Sequence, residues 1–191
     1  PLMGLLVDRA FIDAVTAAER ATVQDPAGSR WTTAVEPLTN YFVGRVKREF
    51  GGGSTGLGIL ATSVHRAIDT TTLDFLRSAA YLGGVDFFHR WAGNAYVVAG
   101  AVAGGYVTGS PLAITLAQRA SSRYYQRPDA GHLDLDTTRT SLAGVTADVS
   151  FRRLAGDWLG GVAFSTTTPG FEVNDAGFQT RVDRISVAAD L

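Results

Sequence analysis

Apolar and polar residues alternate with a period of two along much of this chain, while helical periodicity is weak almost everywhere. Between 80 and 91 the odd positions carry Tyr81, Gly83, Val85, Phe87, His89 and Trp91, and the even ones include Asp86 and Arg90. Between 144 and 153, Val145, Ala147, Val149 and Phe151 alternate with Thr146, Asp148, Ser150 and Arg152. Between 40 and 50, Phe42, Gly44, Val46 and Phe50 share one face, with Arg45, Lys47 and Glu49 on the other; Arg48 interrupts the pattern. Each run predicts a strand with one apolar and one polar face. The pattern yields strands over 4–24, 31–50, 56–68, 79–91, 95–107, 142–154, 158–167 and 180–191, the first two each open to a break.

The connections alternate in kind. Short turns fall at 51–55, 92–94 and 155–157; longer or more polar ones fall at 25–30, 68–78, 108–141 and 168–179. Short on one side and long on the other is the pattern of an up-and-down outer-membrane barrel. The strands are longer than the usual ~5–6 residues of globular sheets and suit a tilted span of ~9–11. Phe50, Trp91 and Trp158 flank the short turns, as an interfacial girdle would, and Tyr41, Tyr81 and Tyr106 lie toward the long connections. Aromatic core plugs beside the turns of a soluble β-protein are the plainer alternative. The expected fold class is therefore all-β: a single domain over 1–191, an antiparallel meander of about eight strands forming all or part of an outer-membrane β-barrel.

Composition narrows the function. Charged residues make up 18% of the chain, below the ~25% of soluble domains, and the formal net charge of −1 gives nucleic-acid binding no support. Glycine accounts for 22 of 191 residues without a repeating period, so it belongs inside ordered elements. The absence of cysteine excludes disulfides, zinc–thiolate sites and thiol nucleophiles. No cofactor or metal is implied. The chain starts at Pro1 without a signal segment and stops just after an apolar alternation at 185–189, the expectation being a piece of a longer protein whose address signal lies outside it.

Two segments invite other readings. The uncharged stretch after Trp91, with Gly100 and Gly104 spaced as in packed membrane helices, is apolar for too few residues to cross as a helix. It suits a strand whose inner face is built of Ala95, Ala99, Ala101, Ala103 and Gly105. The run Gly51-Gly52-Gly53-Ser54-Thr55-Gly56 resembles a phosphate-binding loop but lacks its lysine and its following helix, so a hairpin turn is expected.

The connection 108–141 predicts a short helix over 112–125, started by Ser110-Pro111 and carrying Leu112, Leu116, Ala120 and Tyr124 at helical spacing. Beyond it, Tyr124, Tyr125, Arg127, Asp129, His132, Asp134 and Asp136 form a candidate ligand-binding loop. Flat aromatic surface beside hydrogen-bonding groups is the mixture a saccharide needs, and connections this long are more often functional than filler. If extended, the run places His132, Asp134 and Asp136 on one face, a cation or sugar site in the sharper reading and a solvated rim in the plainer one. Glu172, Asn174 and Asp175 are further possible cation ligands, in a connection where carboxylates are usually solvated. Arg45, Lys47, Glu49, Asp86, Arg90, Asp148 and Arg152 are candidates to line a lumen, and their mixed signs predict mutual pairing.

Several runs together carry a family resemblance: VEPLTNY at 35–41 leading into Val43-Gly44-Arg45, YYQRPDA at 124–130 before HLDLD, and PGFEVNDAGF at 169–178 before Arg181-Val182-Asp183-Arg184. The chain resembles a domain-of-unknown-function family of Gram-negative bacteria. There it forms the C-terminal β-barrel of proteins with an N-terminal family-nine carbohydrate-binding-like domain. The resemblance implies a location in the outer membrane, lipid as a partner, and a carbohydrate-binding-like module and further barrel strands outside this sequence. It supplies no catalytic residues. The expected function is an integral outer-membrane barrel segment with a structural or transport role in saccharide binding or uptake. The alternatives are a soluble β-barrel binding a ligand inside, its apolar faces turned inward, and a hydrolase using Asp134 and Asp136 with Glu172.

Overall fold

The computed structural model describes residues 7–69 and 71–191. Ten strands are present: β1 (Val7–Thr16), β2 (Glu19–Gln24), β3 (Arg30–Glu36), β4 (Thr39–Phe50), β5 (Thr55–Arg66), β6 (Arg77–Trp91), β7 (Tyr96–Gly109), β8 (Ser141–Arg153), β9 (Gly160–Thr167) and β10 (Arg184–Asp190). One α-helix, α1 (Pro111–Arg119), lies between β7 and β8. Eight strands form one antiparallel sheet in the order β1-β4-β5-β6-β7-β8-β9-β10. β2 and β3 form a separate hairpin.

The first two expected strands are thus each broken, between β1 and β2 and between β3 and β4. The connection at 25–30 proves to be the tight turn of the β2–β3 hairpin, closed by Ser29 N–H donating to Asp25 Oδ1 at 2.8 Å. The last strand begins at Arg184 rather than 180. The expected start at 4–6 lies outside the described residues. Among the described residues β1 pairs only with β4 and β10 only with β9, so the sheet is open at both edges.

Turn chemistry explains the short connections. Gly51, Gly52 and Gly53 all adopt positive φ (59°, 66° and 89°), so a triple-glycine run is what this hairpin demands. It joins two strands and carries no helix N-terminus of the phosphate-binding kind.

The sheet's two faces differ in what covers them. One carries Arg45, Leu60, Asp86, Ala101 and Asp148, register partners or alternates along adjoining strands, and α1 packs on this same face. Its Ile114 and Ala117 join Val64, Ala80, Val107 and Leu142 in the buried cluster, with Tyr41 against its flank. The opposite face is bare. Leu57, Ile59, Val85, Phe87, Val102, Val149, Phe151, Val162 and Phe164 lie on it, between 40% (Phe151) and 60% (Ile59) exposed. Arg9 and Asp13 on the edge strand and Arg48 on β4 interrupt the bare face; Arg48 lays its guanidinium over the Phe50 ring, 4.6 Å from the centroid.

The helix is shorter than its sequence period suggests and faces the other way. Ser110 caps it, accepting from Ala113 N–H at 3.0 Å, with Pro111 at its first position. It ends at Arg119. Ala113, Ile114 and Ala117 are buried, while Leu112, Leu116 and Tyr124 are about half exposed. Gln118 is fully buried as well, donating to the Asp136 carbonyl at 2.7 Å.

Small residues also admit the second long connection. Gly105 and Gly144 are register partners on the helix-bearing face, and the backbone of Phe171 and Glu172 runs across them: a Cβ on Gly144 would overlap the Phe171 backbone, and one on Gly105 would stand 2.9 Å from the Glu172 carbonyl. The Gly144→Val variant should therefore unseat the 168–183 connection while leaving the sheet hydrogen bonds in place. Limited trypsin digestion of the folded protein should then cut at Arg181 faster than in the parent. Unchanged cleavage would show that the connection is held without this contact.

Candidate functional site

Where the two long connections meet, they bury charge. Arg123, just past α1, has a side chain 0% exposed, and Glu172 in the 168–183 connection is 2% exposed. Arg123 Nη1 donates to Glu172 Oε2 at 2.6 Å and its Nη2 donates to the Phe171 carbonyl. Glu172 Oε1 accepts from Asn174 N–H at 2.7 Å. Asp175, equally buried, accepts from Arg66 Nη1 of β5 at 2.7 Å. Arg77 of β6 places Nε 2.6 Å from Asp175 Oδ2, without the angle of a hydrogen bond, and Nη1 3.6 Å from Glu172. Three guanidiniums thus face two carboxylates. The expected solvated carboxylates of 169–178 are instead ion-paired against the sheet.

The same segments shape a cleft of ≈ 580 Å³ beside this cluster. Tyr125, His132, Leu133, Asp134 and Arg139 line one side, and residues 141–143 with Pro169 and Gly170 the other. Of the seven loop candidates, Tyr125, His132 and Asp134 meet here. Tyr125 is packed, and burial raises its phenol above the ordinary value against the pull of Arg123 and Arg139. His132 Nε2 lies 2.9 Å from the Asp183 carboxylate, which also takes Arg127 Nη2. Asp134 has no hydrogen-bond or ion-pair partner among the described residues.

The others serve elsewhere. Arg127 braces the loop through the Arg123 carbonyl (3.0 Å) and Asp183, with Asp129 exposed 3.6 Å away. Tyr124 points outward at a left-handed φ of 53°. Asp136 turns back on its own chain, accepting from Thr138 Oγ1 at 2.6 Å and Thr138 N–H at 2.9 Å. These bonds, with Arg139, hold its carboxyl below the ordinary range. Because its pKa is lowered on folding, the stabilisation is full above the ordinary carboxylate range and is lost as pH falls through the lowered value.

His132, Asp134 and Asp136 therefore do not converge, and among the described residues no His, Asp and Glu group could hold a metal. The hydrolase reading fares no better: Glu172 is buried against Arg123 and Asp136 is bonded to Thr138, leaving Asp134 as the one open carboxylate of the three.

All seven lumen candidates lie on the helix-bearing face, in register. Arg45 reaches Asp86 at 2.5 Å across Gly58, where a side chain would block it. Lys47 pairs with Glu49 at 2.7 Å and Arg152 with Asp190 at 3.0 Å. Arg90 lies over the Phe88 ring, 4.7 Å from its centroid. Asp148 is exposed on the same face.

Sequence reasoning missed Arg66, Arg77, Arg123 and Asp183. Arg123 and Glu172 are 49 residues apart and Arg66 and Asp175 are 109 apart, so no local pattern links them. Glu172→Gln leaves the Arg123 charge buried without its carboxylate and should cost about 3–5 kcal/mol. In urea unfolding, the double variant Arg123→Met/Glu172→Leu should recover part of that loss. A loss in the double variant equal to the sum of the singles would show that the two residues do not act as a pair.

Comparison with known proteins adds the family. No curated protein and no solved structure matches the chain. Residues 7–191, nearly the whole chain, match the family described as a domain of unknown function, DUF5916. With the eight-stranded antiparallel meander and its inserted connections now described, the chain belongs to the DUF5916 family of domains of unknown function.

Proposed function

We propose that this chain is a wall of an outer-membrane β-barrel, its helix-bearing face turned to the lumen and its loop cleft taking up saccharide. The observation that carries the proposal is the bare apolar face and its aromatic borders. At the short-turn end Trp91, Tyr96 and Phe151 stack, with 5.6 Å between the Trp91 and Tyr96 centroids. At the long-connection end Tyr81 stacks on Tyr106 at 6.4 Å. Ten residues separate the two rows along β6; at about 3.4 Å per residue and a tilt of about 40°, that is roughly 26 Å, matching the ~25 Å apolar band of such barrels.

The faces also argue against a soluble β-barrel, which would turn its apolar residues inward. Here the face that the connections cover is the one with paired charges. Lipid would meet the other face, and the open edges of β1 and β10 would pair with further strands, since unpaired backbone is not tolerated in hydrocarbon. No catalytic residue is assigned. The cleft, with Asp134 unpartnered beside Tyr125 and His132, supports binding of an oligosaccharide, and an associated carbohydrate-binding-like module would deliver it.

Two neighbouring positions test the facing. Val102→Arg places a charge on the bare face and should cost about 2–4 kcal/mol of folding in vesicles. Ala101→Arg, one residue away on the opposite face beside Asp148, should be tolerated. Heat-modifiable gel migration after refolding into vesicles reads both, and the reverse ranking would overturn the membrane reading. For the cleft, Asp134→Ala should weaken oligosaccharide binding by about tenfold or more, whereas Asp129→Ala should not. Equal affinities across the three proteins would remove the binding role.

A further inference from the structure

At the short-turn end of the bare face, β8 and β9 border a groove of ≈ 310 Å³ lined by Phe151, Trp158, Leu159, Val162 and Leu191, with Arg153 at its mouth. Gly160, the register partner of Arg153, lets the chain at 190–191 run close along the groove wall: a Cβ there would overlap the Asp190 carbonyl oxygen. Its walls are exposed apolar groups: Trp158 is 67% exposed, and Leu159 and Val162 are more than half exposed.

Arg153 is the unusual member. Its guanidinium stands over the Tyr96 ring, 5.8 Å from the centroid, and its Nε donates to the Ala155 carbonyl at 3.1 Å. It has no carboxylate partner among the described residues. Arg152, its neighbour, is by contrast neutralised by Asp190 on the opposite face. A cation held in place by an aromatic ring and a backbone carbonyl, at the end of an apolar groove, is complementary to an amphiphile with a phosphate head and a hydrocarbon tail.

Resting on the membrane reading above, we infer that this groove binds one anionic phospholipid, its phosphate on Arg153 and an acyl chain along Val162 and Phe151. A free phosphate would use the cation but has no use for the apolar walls. A protein partner would need more area than this narrow groove and would have to displace the lipid boundary beside Trp91 and Tyr96. The groove is continuous with the aromatic border, so the lipid is the occupant already at hand.

Trp158 reports on the site directly. In a Trp31→Phe/Trp91→Phe background it is the remaining tryptophan of the three. The protein, refolded in nanodiscs, is titrated with brominated phosphatidylglycerol or brominated phosphatidylcholine, and Trp158 quenching is followed. The expected result is half-quenching at an about fivefold lower mole fraction of the anionic lipid, the ratio that one Arg–headgroup contact supplies. Arg153→Gln should abolish that preference while leaving quenching itself intact, and excess inorganic phosphate should not displace the lipid. Equal quenching by the two lipids, or a preference that survives Arg153→Gln, would overturn the inference. Competition by inorganic phosphate would assign Arg153 to a free anion and overturn it too. Absence of quenching by either lipid would instead overturn the membrane reading, so the two failures are distinguishable.

Discussion

The contact between Arg123 and Glu172 is the interaction on which the long-connection end of the molecule depends. Removing both charges from water is costly, and such a pair persists only where further hydrogen bonds satisfy the remaining donors and acceptors. Here the Phe171 carbonyl and the Asn174 N–H supply them. Because one partner follows α1 and the other lies between β9 and β10, this buried ion pair joins the two long connections, alongside the Asp183 contacts to Arg127 and His132. Arg66 and Arg77 extend the grip to β5 and β6 through Asp175. The cleft is a consequence, for its two walls are these same two connections.

The sheet beneath is organised by a constraint of a different kind. A strand presents successive side chains to opposite faces, so one alternating sequence must supply two environments at once. In this chain the face with the charged positions also carries, at its long-connection end, the apolar patch of Val64, Ala80, Val107 and Leu142 that receives α1, and the other face is left bare. Ion pairs such as Arg45–Asp86 are spaced by glycine, Gly58 in that case, because a side chain between them would prevent the approach. The same economy of volume at Gly105 and Gly144 lets backbone lie on backbone. Glycine at these positions thus serves one end, the close approach of groups on the helix-bearing face of the sheet.

The junction also holds two of the four non-glycine residues at left-handed φ among the described residues, the other two being Ala92 and Asn94 in the β6–β7 turn. Tyr124 and Asp183 both adopt a left-handed φ of 53°, a costly conformation for such residues. Tyr124 turns the chain so that Arg123 points inward while its own ring points out. Asp183 holds Arg127 and His132 together at the edge of the cleft. Val182 N–H donating to the Ser122 carbonyl at 3.0 Å ties the two strained turns to each other. Such geometry survives only where the surroundings over-determine it, and here they do.

The strands, their faces and the short turns were legible in the sequence, because the two-residue period is local and the turns advertise themselves through glycine and asparagine. The seven charged positions assigned to one face lie on one face for that reason. The orientation of α1 was not legible: Leu112, Leu116 and Tyr124 mark an apolar stripe, yet the buried face is that of Ala113, Ile114, Ala117 and Gln118, the last bonded to the Asp136 backbone from the distant end of the loop. Within the loop, sequence could name chemically apt residues but not choose among them. Tyr125, His132 and Asp134 meet in the cleft, while Tyr124 and Asp136 turn away on backbone geometry and a hydrogen bond to Thr138. The charge cluster could not be read at all, since its members are brought together from distant strands and loops. Local alternation determined which way each strand faces; which loop groups share a site was decided only when the two long connections folded onto the same patch of sheet.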